Sequence, residues 1–569
     1  MSPPRRSPRR AGRARPGVLP VVERMGRAPA WTARLGGALL AVAALASEGG
    51  PPLARGDGGD EPVTPAAQAA LTDAVAVFER ARAERIIGQY ANERAELFAG
   101  HLQVTQLFAE GRYEDLFVDG DAAFEGEATR ALGLGRGADR RTPGAFLPWL
   151  RMPARGRPIH DDERGGLDAS SCRSCHFAGG PDGAGSSSQR AFLRGDGAHV
   201  SSAAMRDAPH VMGLGYVALV AAEMTAELAS HRARAAQLAA TLAPDAAPVT
   251  IPLAVQEGDV TFGALVVRPT PTGGVVDDDG VQGVSRDLVV RPFGHKGRHA
   301  DLVALADEAL AVHHGLQSSA YLRRHRDDAA RFLGDGPAVD PDDDGEPRVA
   351  TAEPGAELGG AHAVLLASYL GMLGVPVIAP PRSPDLLVRF ARGRAVFGAV
   401  GCTQCHVERL WWKDPVLRVA AHDGSGLQGS IDLDEHGRQP RATRVDYGPR
   451  DVARGVPLFL FSDLKRHDLG PGLADAVDEP LPRHPGAVDD NGLAAVPGAV
   501  WLTRPLWGLA DTAPYLHDGR APTLHDAIAL HGGEAQAARD AYLALTDDDR
   551  AALRAFLASL TRERVVLVE

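Results

Sequence analysis

Cysteine is scarce in this 569-residue chain: there are four, and all sit in two copies of one short pattern. No thiol remains for a disulfide framework, a nucleophile or a separate metal site. A membrane-length apolar run is missing from the N-terminal region. The run Leu35–Ala46 has twelve residues, too few for a helix to cross a bilayer. Residues 1–34 contain no lysine or aspartate but carry nine arginines and one glutamate. A basic start, a short apolar core and small residues at Ala44 and Ala46 predict a secretory signal peptide over 1–46. Met25–Ala46 makes a complete signal by itself, and a buried hydrophobic helix is the alternative. Positive charge is then short in the remainder. Residues 47–569 hold 52 Lys plus Arg against 72 Asp plus Glu, a net of −20. So acidic a surface argues against nucleic acid and anionic membrane as partners.

What is present begins with the two motifs, Cys172-Arg173-Ser174-Cys175-His176 and Cys402-Thr403-Gln404-Cys405-His406. The spacing C-x-x-C-H is that of c-type haem attachment. Each thiol can form a thioether to one vinyl group, and the adjacent histidine can ligate the iron. A zinc site would need both pairs to converge across 230 residues, and a thioredoxin-like pair would need a βαβ setting that neither copy has. Cys172, Cys175, Cys402 and Cys405 are therefore read as anchors of two covalent haem c groups, with His176 and His406 as iron ligands. Haem c is attached outside the cytoplasm, which agrees with export to the periplasm or cell exterior.

Residues 47–65, rich in Gly, Pro and Asp, read as a linker, and 66–117 as an N-terminal helical extension. A first cytochrome c-like haem domain is expected over 118–242, with a glycine-rich loop at Phe177–Ser188 and a helix from about Tyr216 to Leu242. His199, Met205, His210 and Met212 are candidate sixth ligands for its iron, or simply packing groups. Residues 243–380 form an intervening region with short strands at Ile251–Val255 and Leu265–Arg268. Its acidic loop at 340–345 opens like a calcium site, but Thr351 stands where the twelfth-position glutamate belongs. A solvated acidic turn is the commoner explanation. A helix is expected from about Glu357 to Leu373, stopped by Gly374 and Pro376. A second cytochrome c-like domain follows over 381–569, with a helix from Phe390 to Val400 delivering Cys402 and a capped helix starting at Thr546. The fold class is thus mainly α, with two haem domains separated by a mixed, loop-rich region.

Three later stretches concentrate histidine, arginine and glycine: Phe461–Gly472, Trp501–Gly508 and Ala513–Glu534. Downstream of a haem motif, one of these histidines is expected as the sixth ligand, and the arginines as partners for haem propionates. These stretches resemble the di-haem oxidoreductases grouped with peroxidases, relatives of the bacterial di-haem cytochrome c peroxidases. The resemblance extends to the first motif, to Ala208–Gly215, and to Asp279-Gly280 through Lys296; the first 110 residues take no part in it. In those peroxidases a P-Y-x-H-D-G-like motif precedes a helix and a methionine ligand. Laid on Tyr515–Gly533, the pattern puts His531 in the methionine's place, pairing it with His406. It also implies Arg504, His517 and Arg520 as cofactor contacts. Leu469 replaces a methionine of the family's H-D-M-G-P-G segment, and Tyr216-Val217-Ala218 stands where relatives often carry a glutamate.

The resemblance implies an enzyme that reduces hydrogen peroxide or a similar small oxidant, the N-terminal haem reacting and the C-terminal haem relaying electrons. The donor would be a small redox protein or a quinol-linked one, and no stable membrane span is expected after signal removal. Moving a proton between peroxide oxygens needs an acid–base group; His210 and Glu223 are the first candidates. Two rivals stand beside this reading. One is an electron carrier with both irons six-coordinate; the other is a di-haem oxygenase of another substrate.

Overall fold

Thirteen residues of one helix, Gly360–Met372, are buried without exception. The computed structural model describes residues 100–128, 169–186, 190–193, 204–316, 318–324, 358–437, 454–476, 478–479, 481 and 495–562. The signal, the linker, most of the N-terminal extension, His199 and the acidic loop 340–345 lie outside them. All described residues belong to one unit, Glu93–Glu569.

The helices used below are α1 (His101–Ala109), α2 (Tyr113–Glu125), α3 (Leu214–Thr241), α4 (Leu302–Ala309), α5 (Gly360–Met372), α6 (Pro384–Ala399), α7 (Leu524–Leu530), α8 (Gln536–Leu543) and α9 (Asp547–Leu557). The sequence of α5, GAHAVLLASYLGM, is apolar on every side, as a fully enclosed helix requires. It packs against α1, α2, α3 and α4. Small residues permit this closeness. A Cβ added to Gly120 of α2 would stand 2.5 Å from the Cβ of Tyr369 on α5.

Against α3 lies a three-stranded antiparallel sheet, Val249–Val255, Val260–Thr270 and Gly273–Asp277, longer than the two short strands expected. Alternate residues Ile251, Leu253 and Val255 point into the core, the period-2 pattern of a half-buried strand. The acidic run at its end is neutralised within the fold: Arg268 pairs with Asp277 at 2.9 Å, and Arg286 with Asp278 and Asp279. One hydrophobic core joins residues of α1, α2, α3, α5 and this sheet.

A second core surrounds the second motif. There α6 packs on α9, and Phe556 lies 5.5 to 5.9 Å, ring to ring, from Phe390, Phe397 and Phe461. Helix α9 starts where expected, with the Thr546 hydroxyl accepting from Asp549 N–H and three aspartates in its first turn. Those charges favour the positive end of the helix dipole. Helix α6 begins earlier than expected, because Pro384 supplies the first helical position after Ser383. Described helices dominate, the sheets are small, and the fold is mainly α as expected.

Candidate functional site

Both Cys-x-x-Cys-His motifs fold alike. In the second, α6 ends at Ala399, Gly401 turns the chain with φ +94, and a single 3-10 turn carries Cys402–Gln404. The His406 N–H then donates to the Cys402 carbonyl at 2.9 Å. In the first, a 3-10 turn carries Cys172–Ser174, and His176 N–H donates to the Cys172 carbonyl at 3.1 Å. The pattern is local, so the short spacing alone sets it.

Past the second motif, Phe461 turns its carbonyl toward His406, and the imidazole Nδ1 meets that oxygen at 2.9 Å. His531 follows α7 directly, and its Nδ1 meets the Ala527 carbonyl at 2.7 Å. A carbonyl can only accept, so both Nδ1 atoms carry the proton and both Nε2 atoms keep a lone pair. Burial lowers the pKa of His406 to about 4 and lowers that of His531. Both rings are thus neutral, the form that binds a metal. They line one cavity of about 320 Å³, together with Cys402 and Cys405. Leu469, Leu506, Ile528 and Leu557 supply apolar wall. A carbonyl-oriented imidazole with a free Nε2 is the usual second-sphere arrangement of a ligating histidine. Two of them, two thiols and an apolar slot fit a haem.

The other end of the cavity is polar. Arg504 is partly buried, and desolvation alone lowers its pKa to about 10. Among the described residues it makes no ion pair. Its positive charge lowers the pKa values of His176, His210 and His295, and it lines the cavity that holds the second motif. A cation without a counter-ion, facing a cavity, fits a haem carboxylate. His517 also lines the cavity and stacks on Trp501, with ring centroids 3.8 Å apart. The other close neighbour of that indole is the Lys296 ammonium, 3.5 Å from the ring centroid. Lys296 is fully buried, donates to the Pro497, Gly498 and Val500 carbonyls, and pairs with Asp475 at 3.4 Å.

Three expected site residues are placed differently. His210 lines the cavity, but Nε2 donates to the Trp507 carbonyl at 3.0 Å and Nδ1 accepts from Met212 N–H at 3.3 Å. Burial above all drops its pKa to about 3. With both nitrogens engaged, it has no lone pair for iron or for a peroxide proton. Glu223 does not join it. Its carboxylate caps the backbone N–H groups of Lys413 and Asp414, at 2.6 and 3.0 Å. Arg520 is held by Asp518 and by the Gly472 carbonyl, outside the cavity lining.

The structure adds detail at further residues, of which Asp207 and His314 were announced by no motif. Asp207 lines the cavity, with Oδ1 buried and unpaired, and burial pushes its pKa up to about 6. His467 bridges Asp463 at 2.8 Å and Glu534 at 2.7 Å, three residues past His531. At the first motif, His314 ends a π-helical turn, Leu310–His314, with Nε2 3.6 Å from Cys172 Sγ and Nδ1 donating to the Ala169 carbonyl. His176 has Nδ1 buried without a well-formed hydrogen bond, beside the Pro209 and Gly183 backbone. Its ring lies 5.8 Å from that of Phe124. Met205 presents its sulfur to Arg190 at 3.7 Å.

Residues 449–560 match the family described as "Di-haem oxidoreductase, putative peroxidase". The resemblance read from Trp501–Glu534 is borne out over this segment. No curated protein matches the chain. Among solved structures, a hydrazine synthase of Kuenenia stuttgartiensis is 21% identical, with a TM-score of 0.19, over 35% of this chain and 55% of that one. The diheme peroxidase BthA of Burkholderia thailandensis is 18% identical, with a TM-score of 0.22, over 48% of this chain and 66% of that one. The chain thus spans less than two thirds of either protein, and superpositions this partial carry no argument about fold.

Proposed function

We propose that this chain, whose residues 449–560 match the di-haem oxidoreductase family, is an exported enzyme with two covalent haem c groups that reduces hydrogen peroxide or a similar small oxidant. The observation that carries the reading is the paired tautomer of His406 and His531, each with Nδ1 on a backbone carbonyl, in residues that line one cavity together with Cys402 and Cys405. Bound haem would supply one-electron transfer and, where a coordination position is open, a place for the oxidant.

Each residue has a part in this reading. Cys402 and Cys405 would anchor the second group and His406 and His531 would hold its iron, which would supply electron relay. Cys172, Cys175 and His176 hold the first, where substrate chemistry falls. Arg504 would neutralise haem carboxylates. Reduction of peroxide to water consumes two protons, and Asp207 can hold one near neutral pH at the polar end of the cavity. It takes the role first given to His210 and Glu223. The acidic surface of residues 47–569 suits a basic redox protein as electron donor, in the periplasm or outside the cell.

Electron paramagnetic resonance of the purified holoprotein, oxidised and half-reduced, tests this. A high-spin ferric signal that vanishes with peroxide while reducing equivalents are consumed is expected. Two low-spin signals indifferent to peroxide would leave an electron carrier instead. A high-spin iron unmoved by peroxide would point to another substrate.

A further inference from the structure

A buried phenol and a buried carboxylate meet beside the first motif. Tyr369, on the enclosed helix α5, is 1% exposed, and its hydroxyl donates to Asp182 Oδ1 at 2.6 Å. Asp182 belongs to the glycine-rich loop that follows His176 and has a left-handed backbone, φ +59. Its carbonyl accepts from Val211 N–H at 3.1 Å, which pins the loop against the Pro209–Val211 segment. Burial raises the pKa of the Asp182 carboxyl, so it is a better proton acceptor than a solvated aspartate.

The pair is also coupled to the haem-motif histidine through aromatic rings. The Tyr369 ring lies 5.4 Å from that of Phe124, and Phe124 lies 5.8 Å from the His176 ring. The close approach of α2 that makes this possible depends on Gly120, whose missing side chain leaves room for Tyr369. In the other direction there is a polar way out. Arg173 lies 3.8 Å from Asp182 and 3.4 Å from Asp121, and the Asp121 side chain is 41% exposed.

A phenol that loses an electron becomes a strong acid, so its oxidation is eased when the proton can leave in the same event. A carboxylate at hydrogen-bond distance provides that. We propose that Tyr369 is a one-electron donor to the first haem site, with Asp182 as its proton acceptor. The inference rests on the peroxidase reading, and the oxidant is hydrogen peroxide. Conversion of one peroxide to two waters takes two electrons and two protons. When the relay has supplied only one electron, Tyr369 gives the second, past Phe124 toward the His176 site. Its phenolic proton moves along the hydrogen bond to Asp182. A neutral tyrosyl radical and a carboxylic acid remain. One further electron from the donor, with return of the proton from Asp182, restores the phenol and the carboxylate.

Freeze-quench electron paramagnetic resonance of the full-length holoprotein, mixed with hydrogen peroxide, reads both halves at once. A tyrosyl radical is expected alongside the haem response, with hyperfine splitting that collapses when the protein is grown on ring-deuterated tyrosine. Tyr369→Phe, which removes one hydroxyl and keeps the ring, should reduce the radical to background while the haem response remains. Asp182→Asn should lower the radical yield with the same haem response. A haem response without a radical, a radical insensitive to tyrosine deuteration, one that persists in Tyr369→Phe, or one undiminished in Asp182→Asn would overturn the pair and leave the peroxidase reading standing. Haem signals that ignore peroxide would overturn that reading, and the radical with it. The deuterium result needs no variant and so holds even if one folds poorly.

Discussion

His406 and His531 share a tautomer as well as a cavity: each donates Nδ1–H to a backbone carbonyl, 2.9 Å from Phe461 and 2.7 Å from Ala527. Neither ring must reorient to offer Nε2, so in the proposed reading both imidazoles are set before any iron arrives. Replacing one imidazole by a softer sulfur changes the electronics without emptying the position. His531→Met should keep the second haem low-spin and raise its midpoint potential, because methionine favours the ferrous state. A potentiometric titration with unchanged midpoints would remove His531 from the iron.

Arg504 is a partly buried cation without an ion pair among the described residues. A positive charge near haem favours the reduced form. Arg504→Leu should therefore lower a haem midpoint potential by some tens of millivolts, about 59 mV corresponding to a tenfold change for one electron. An unchanged potential would place Arg504 away from haem carboxylates.

Asp207 gives a pH dependence with a definite sign. Burial, the largest cause, raises its folded pKa to about 6, above the ordinary carboxyl value. Ionisation is therefore harder in the folded state, and stability is lost as pH rises from about 4 through 6. Asp207→Asn should raise the melting temperature at pH 7 and leave it nearly unchanged at pH 4. The gain at pH 7 is on the order of 2–3 kcal/mol. The same variant should slow peroxide turnover if Asp207 carries a proton there. Calorimetry at the two pH values and a peroxide assay separate the two effects.

Arg206 donates to both oxygens of Asp475, at 3.0 and 2.7 Å, and Lys296 shares the same carboxylate at 3.4 Å. Asp475→Asn leaves two buried cations short of a counter-ion. A loss of about 3–5 kcal/mol is expected in denaturant unfolding. A loss below 1 kcal/mol would mean that water or Glu479 substitutes for it.

Gly120→Ala should destabilise through overpacking against Tyr369, by about 1–3 kcal/mol. It should also weaken the tyrosyl radical signal, since α2 would carry Phe124 away from α5. Thermal melts and the freeze-quench spectrum check these together.

Much of the local structure around the second motif was legible because its determinants are near in sequence. The Cys402–His406 turn, the capped start of α9 at Thr546 and the placement of His531 after a short helix all follow from near neighbours. The failures share a cause. His210 is tied to Trp507, 297 residues away, and Glu223 to Lys413, 190 residues away; neither partner leaves a mark on local spacing. Tyr369 and Asp182 are separated by 187 residues, so a conspicuous pair in space is two ordinary residues in sequence. Arg520 is the exception, since its captor Asp518 stands two positions before it and was in plain view. Two of the three intervening strands were recognised but cut short, and Gly273–Asp277 was missed, since it pairs with Val266–Thr270 through the backbone rather than through an apolar pattern.

Lys296 also decides which aromatic ring stays intact under oxidation. Its ammonium lies 3.5 Å from the centre of the Trp501 ring, in the wall of the cavity. Burial lowers its pKa to about 8, so at neutral pH it is still mostly charged. An indole that gave up an electron there would place a second positive charge at that distance, opposed by on the order of 5 kcal/mol at an effective dielectric of 20. Tyr369, next to a carboxylate, faces no such opposition. The lysine thus works as insulation on a conductor: one ring in the cavity wall is sheathed, and current that escapes the main circuit is steered to a terminal that can be recharged.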